Sequence, residues 1–145
     1  MNGSESWLRF ARDDLHMAEL ALKDGLHNQV CFHAQQCAEK SLKAWLVHND
    51  ESVPRTHRMA DLLTLVSADF LDEALEDRLL LLDRFYIPTR YPDALPGSLP
   101  DGLPEEKDAL EALEVAKDIL RSIERQLLRG ENKSQPDLTS NDLGR

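Results

Sequence analysis

An all-helical bundle is the fold this sequence predicts. Apolar residues recur every three to four positions in several long segments, and no stretch alternates apolar and polar residues as a half-buried strand does. Prolines are confined to the stretches between those segments and to the polar C-terminal end. At 145 residues, with 41% hydrophobic and 30% charged side chains, the chain is long enough to close one core without a metal or disulfide.

The first helix is expected over residues 4–24. Ser4 suits an N-cap and Gly25 a C-terminal stop. On a helical wheel Trp7, Phe10, Ala11, Leu15, Ala18, Ala21 and Leu22 fill one arc. The second helix, residues 28–48, buries Cys31, Ala34, Ala38, Leu42, Trp45 and Leu46 on its main face and carries Cys37, Ala44 and Val47 opposite. Apolar residues on two faces predict a central element covered from two sides. Residues 49–56, with Pro54, read as a loop.

A shorter helix is expected over residues 57–66, followed by another over 71–85 that carries four leucines at 79–82. Residues 86–104 hold five prolines and two glycines and cannot propagate a helix. A loop of that length in a small domain is commonly either functional or disordered. The last helix, residues 105–128, starts with Glu105, Glu106 and Asp108 and ends with Arg121, Arg125 and Arg129, both ends suiting the helix dipole. Its stripe is Leu113, Ala116, Leu120, Ile123 and Leu127. The expected organisation is one bundle over 1–129 and a polar, disordered tail over 130–145.

Composition narrows the classes of function. No apolar run reaches the ~18 residues of a membrane span, and the N-terminus lacks a basic start and apolar core, so a cytoplasmic protein without a membrane partner is expected. A net charge of −10 argues against broad binding to a nucleic-acid backbone. The acidity is uneven: residues 1–58 carry 8 acidic and 7 basic side chains, against 19 and 10 in the remainder. Cys31 and Cys37 lie about 9 Å apart along one helix, too far for a disulfide, and read as free buried thiols. No metal-ligand spacing, nucleophile motif or cofactor-binding glycine pattern occurs, so neither metal nor cofactor is expected.

Several polar residues fall in apolar surroundings. Asp14 sits inside the buried arc of the first helix, where an ionised carboxylate needs a partner. In the second helix Gln35 and Glu39 flank the buried stripe, while His33 and Lys40 lie on the other side among secondary apolar residues. Lys40 is the expected partner of Asp14. His57 is expected in the first turn of the third helix, paired with Asp61. Arg90, between aromatics and prolines in Tyr86–Asp93, offers a planar donor fork for a carboxylate or a phosphate. These groups are expected to converge in one water-poor pocket, serving either as ion pairs that fix helix register or as a ligand site.

The ordered pieces Trp7…Ala11-Arg12-Asp13-Asp14-Leu15…Ala18, Cys31-Phe32-His33-Ala34-Gln35-Gln36-Cys37-Ala38-Glu39-Lys40-Ser41-Leu42-Lys43-Ala44, Pro54-Arg55-Thr56-His57 and Arg90-Tyr91-Pro92-Asp93 resemble the HEPN family of higher-eukaryote and prokaryote nucleotide-binding domains. The resemblance spans residues 5–127. It implies an up-and-down bundle of four to five helices, a homodimer, a nucleotide ligand, and a minimal nucleotidyltransferase as partner, in some cases as a toxin–antitoxin pair. The residues it carries over are Asp14, Gln35, Glu39, Lys40, His57 and Arg90. Family members that cleave RNA carry an arginine and, after four to six intervening residues, a histidine. Behind Arg90 that window is Leu95-Pro96-Gly97, and the Arg9/His16 pair lies on the wrong helix. This departure favours a non-catalytic binding protein over a ribonuclease toxin, with a purely structural interaction module as the third reading.

Overall fold

A computed structural model describes the backbone of residues 3–85 and 103–143, with side chains as far as residue 130. The described residues form helices joined by turns and loops and contain no strand. Five α-helices follow one another: α1 (Gly3–Lys23), α2 (His27–His48), α3 (Met59–Leu63), α4 (Glu73–Leu81), which tightens into a 3₁₀ turn at Leu82–Phe85, and α5 (Glu106–Leu143). The fold is the all-α, up-and-down bundle that the periodicity and the resemblance led us to expect. No helix among the described residues is long and apolar enough to cross a membrane.

Gly25 ends α1 because only a residue at ease with positive φ closes this turn. At φ +70° its N–H donates to the Leu22 carbonyl, and the next N–H, of Leu26, reaches back to Ala21. The chain therefore reverses within three residues, and α1 and α2 form an antiparallel hairpin. A Cβ on Gly3 would stand 2.9 Å from Val47, so the start of α1 lies tight against the end of α2. α5 runs antiparallel to α1, as Arg12–Glu124 (2.6 Å) and Lys117–Glu19 (3.7 Å) show. It runs parallel to α2, with Ala116 beside Cys37 and Gly130 beside His48.

α2 is the central element, packed by α1 on one side and α5 on the other. Alanines make that closeness feasible: Ala11 and Ala18 of α1, with Ala34, Ala38 and Ala44 of α2, are fully buried. Larger side chains fill the remainder, among them Leu42, Leu46, Met59, Leu62, Leu79, Phe85, Ile119 and Ile123. Both cysteines are buried and free, and burial pushes each thiol up to about 12.

Local differences from the sequence reading have identifiable causes. Phe10 is 52% exposed, and Leu8 takes its place in the core at 5%. α3 is two residues later at its start than expected, because its first N–H groups are satisfied from a distance. The Asp83 carboxylate accepts from the backbone N–H groups of Met59 (2.6 Å) and Ala60 (3.1 Å). α4 begins at a capping Asp72, which accepts from Leu75 N–H at 2.8 Å, and only Leu79 and Leu82 of the leucine run are buried. All five residues of the α5 stripe are buried. The α5 backbone continues to Leu143, past the expected end near Leu128, while Leu127 is the last buried residue among the described side chains.

Candidate functional site

Two polar clusters surround α2, on different faces. His33 and Lys40 are seven residues, or about two turns, apart and so share a face. Across from them α1 supplies Asp14. One carboxylate oxygen meets His33 Nδ1 at 2.8 Å, and the other accepts from Lys40 Nζ at 2.5 Å. The expected Asp14–Lys40 pair is therefore formed, with His33 as a third member. Lys40 keeps 25% of its side chain exposed, so the cluster opens to solvent on the cationic side. Among the described residues Lys40 Nζ and His33 have no further hydrogen-bond partner, which leaves donor capacity for an incoming anion.

Burial alone would push the Asp14 carboxyl up. Hydrogen bonds from His33 and Lys40, with the lysine charge, outweigh burial and hold it below the ordinary 3.8. A depressed folded value means that the pairing stabilises the fold fully above pH 3.8 and is lost as pH falls through the lower folded value. Urea midpoints measured across the acid range should therefore fall more steeply in the wild type than in Asp14→Asn. Parallel acid limbs would show that Asp14 is not linked to folding.

The second cluster follows from a four-residue repeat on α2. Gln35, Glu39 and Lys43 stand one above another, roughly 110° around the helix from His33 and Lys40. Glu39 and Lys43 pair at 3.0 Å with side chains only 3% and 5% exposed. His57 turns Nδ1 toward both Glu39 oxygens, at 3.2 and 3.3 Å. Gln35 donates to the His57 carbonyl at 2.7 Å and accepts from Gln36 at 2.8 Å. Lys43 lies 5.4 Å over the Trp7 ring, a cation–π contact that brings α1 into the cluster. No buried side-chain nitrogen or oxygen among the described residues lacks a partner.

Two expectations are corrected here. His57 is not in the first turn of α3 but in the loop before it, and it faces Glu39; Asp61 pairs with the Thr56 hydroxyl at 2.6 Å. The single pocket resolves into two clusters, with Asp14 and Lys40 in one and Gln35, Glu39 and His57 in the other. Arg90 lies outside the described residues. Lys43 is the residue that sequence reasoning overlooked, although its spacing from Glu39 was the signal for it. No group of three His, Cys, Asp or Glu side chains among the described residues is arranged to hold a metal ion.

Each cluster pairs a buried carboxylate with an imidazole. Such a carboxylate fixes ring orientation, which suits either an anion contact or proton transfer. The His33–Lys40 pair brings an ammonium and an imidazole together, whereas His57, 54% exposed in its side chain, presents one oriented ring.

Comparison with known proteins bears on the family and the fold. The family model described as HEPN domain matches residues 4–126. A protein of Methanocaldococcus jannaschii named "Putative toxin MJ1304" is 28% identical over 132 residues, covering 79% of this chain and 86% of its own. A crystal structure of ST0689, described as an archaeal HEPN homologue, superposes with a TM-score of 0.69 at 34% identity, covering 88% of this chain and 99% of that one. The crystal structure of TT1696 from Thermus thermophilus gives 0.71 at 36% identity, covering 86% and 98%.

Proposed function

The chain belongs to the HEPN domain family, and from that premise we propose that it is a toxin-like, non-catalytic binding protein whose Asp14–His33–Lys40 cluster holds a phosphate-bearing ligand such as a nucleotide. It acts as a homodimer beside a minimal nucleotidyltransferase, as one half of a toxin–antitoxin pair. The observation that carries this reading is the convergence of Lys40 and His33 on one carboxylate, with ammonium donors left over on the exposed side. Asp14 fixes the Lys40 ammonium and the His33 ring in place, and an anionic group adds to them without having to order them first. Arg90, which the resemblance carries over, is proposed to add a guanidinium contact to the same ligand. The name of the M. jannaschii relative supports the toxin side of the pair.

Titrating ATP into the full chain, while following the imidazole signals of His33 by NMR, tests the assignment. Wild-type protein should show saturable shifts. Lys40→Ala should weaken them by roughly tenfold or more, the loss expected for one charge-assisted contact. A His33 response unchanged in both Lys40→Ala and Arg90→Ala would reject the site.

The Glu39–His57 dyad favours a second reading, in which His57 supplies the imidazole of a metal-independent ribonuclease despite the absent Arg–His motif. Digestion of RNA by highly purified protein, abolished in His57→Ala, would establish that activity. Intact RNA would dismiss it.

A further inference from the structure

Two adjoining clefts, lined by none of the cluster residues, follow one side of α5. The larger, about 740 Å³, lies between the C-terminal end of α2, residues 67–70 and the part of α5 from Ser122 to Gly130. The smaller, about 340 Å³, lies between α4 and the part of α5 from Asp118 to Arg125. They share Ser122 and Arg125, so they form one trough along α5 from Asp118 to Gly130. At 1.5 Å per residue its length is about 18 Å, or about three helical turns. A trough of that length suits a rod laid along α5.

One wall of the trough is cationic. Arg121, Arg125 and Arg129 are exposed and spaced by four, so they form a ridge of α5 that repeats about every 6 Å. Among the described residues Arg121 and Arg129 form no ion pair, and Arg125 contacts only the Ser122 hydroxyl, at 3.4 Å. Of the acids lining the trough, Asp118 is held by Arg78 at 2.8 Å and Asp72 caps the start of α4. Asp69 stands on the facing wall. In a chain of net charge −10 the ridge is a local reversal of sign.

Apolar surface lies beside that ridge. Gly130 stands next to His48 and Ala116 next to Cys37, which sets Trp45 level with Arg125 and Arg129. Trp45 and Phe70 are both partly buried and line the larger cleft. Cationic and aromatic surface thus run side by side along the trough. A helix laid parallel to α5 presents its residues i, i+4 and i+8 with the same 6 Å step as the arginines, and its residues i+3 and i+7 on the adjoining face. Carboxylates on the first row meet the ridge, and apolar side chains on the second reach the aromatics. A nucleic-acid backbone extends its charge well beyond three arginines, against an otherwise acidic chain, whereas a helix can confine its carboxylates to the ridge.

We propose that this trough docks an acidic amphipathic helix of a partner protein, with carboxylates at four-residue intervals on Arg121, Arg125 and Arg129 and apolar side chains against Trp45 and Phe70. The surface is separate from the Asp14 cluster and does not depend on what that cluster binds.

The probe is a synthetic helical peptide of about three to four turns, with glutamates at four-residue intervals beside a leucine stripe. It is titrated into the ¹⁵N-labelled full chain while the Trp45 indole N–H is followed. The signal should shift saturably, and added salt should weaken the binding. A peptide with lysine in place of each glutamate should bind more weakly by roughly tenfold or more. The double variant Arg125→Gln/Arg129→Gln should weaken the glutamate peptide by a similar factor, since both side chains are exposed and the fold does not rest on them. Equal binding of the two peptides, an affinity unaffected by the arginine changes, or no Trp45 response at millimolar peptide would each overturn the proposal. Sedimentation of the chain alone covers the remaining occupant. Self-association that disappears in Arg125→Gln/Arg129→Gln would assign the trough to a second copy and overturn it too.

Discussion

Glu39→Ala should destabilise the bundle by about 3–5 kcal/mol, because it strands the Lys43 ammonium in the interior without a counter-charge. Lys43 is 5% exposed, and among the described residues its ionic partner is Glu39, at 3.0 Å. The Trp7 face beneath it does not replace a carboxylate: cation–π contacts contribute about 0.5–2 kcal/mol, less than desolvating a charge costs. The urea midpoint should fall with the slope of the transition unchanged. Removing both charges in Glu39→Leu/Lys43→Met should recover most of the loss, since a buried pair replaced by apolar groups of similar volume is often close to neutral. A double variant as unstable as the single one would show that the ion pair itself, rather than the stranded lysine, carries the stability. Glu39→Ala also removes the group that orients His57, so the single substitution links the stability of α2 to the chemistry of that loop.

The second large effect is expected at Phe85. Its side chain is among the largest that are fully enclosed, and Phe85→Ala should cost about 3–5 kcal/mol through lost burial and the cavity left behind. The damage should spread in a defined direction. Phe85 anchors the 3₁₀ turn whose Asp83 accepts from Met59 and Ala60, so a loosened turn releases the start of α3 and the His57 loop before it. Amide hydrogen exchange checks this: Met59 and Ala60 should lose protection beyond what the global stability change explains. If they lose protection only in step with the whole molecule, the turn and α3 are not coupled through Asp83.

Much of this architecture was readable from the chain alone, and the parts that were not share a cause. Helices α1, α2 and α5 declare themselves through long amphipathic patterns, and the buried position of Asp14 predicted a partner that Lys40 supplies. Both are regularities of single helices. The misplaced features depend on residues remote in sequence. α3 starts at Met59 because of Asp83, 24 residues away, and His57 turns to Glu39, 18 residues away, and not to the nearby Asp61. Phe10 satisfied the wheel as well as Leu8 did, and only the placement of α2 and α5 decides which is covered. Lys43 was legible from its spacing but looked like an ordinary solvated lysine. Its enclosure depends on Trp7 and on the loop that His57 brings over α2.

The enclosure of the two thiols has a practical corollary. Burial keeps both thiols protonated at neutral pH, and neither sulfur meets solvent in the folded chain. Alkylating reagents therefore find nothing to attack until α2 parts from its neighbours. Mass gain over time becomes an intrinsic clock for that separation, one that needs no engineered label.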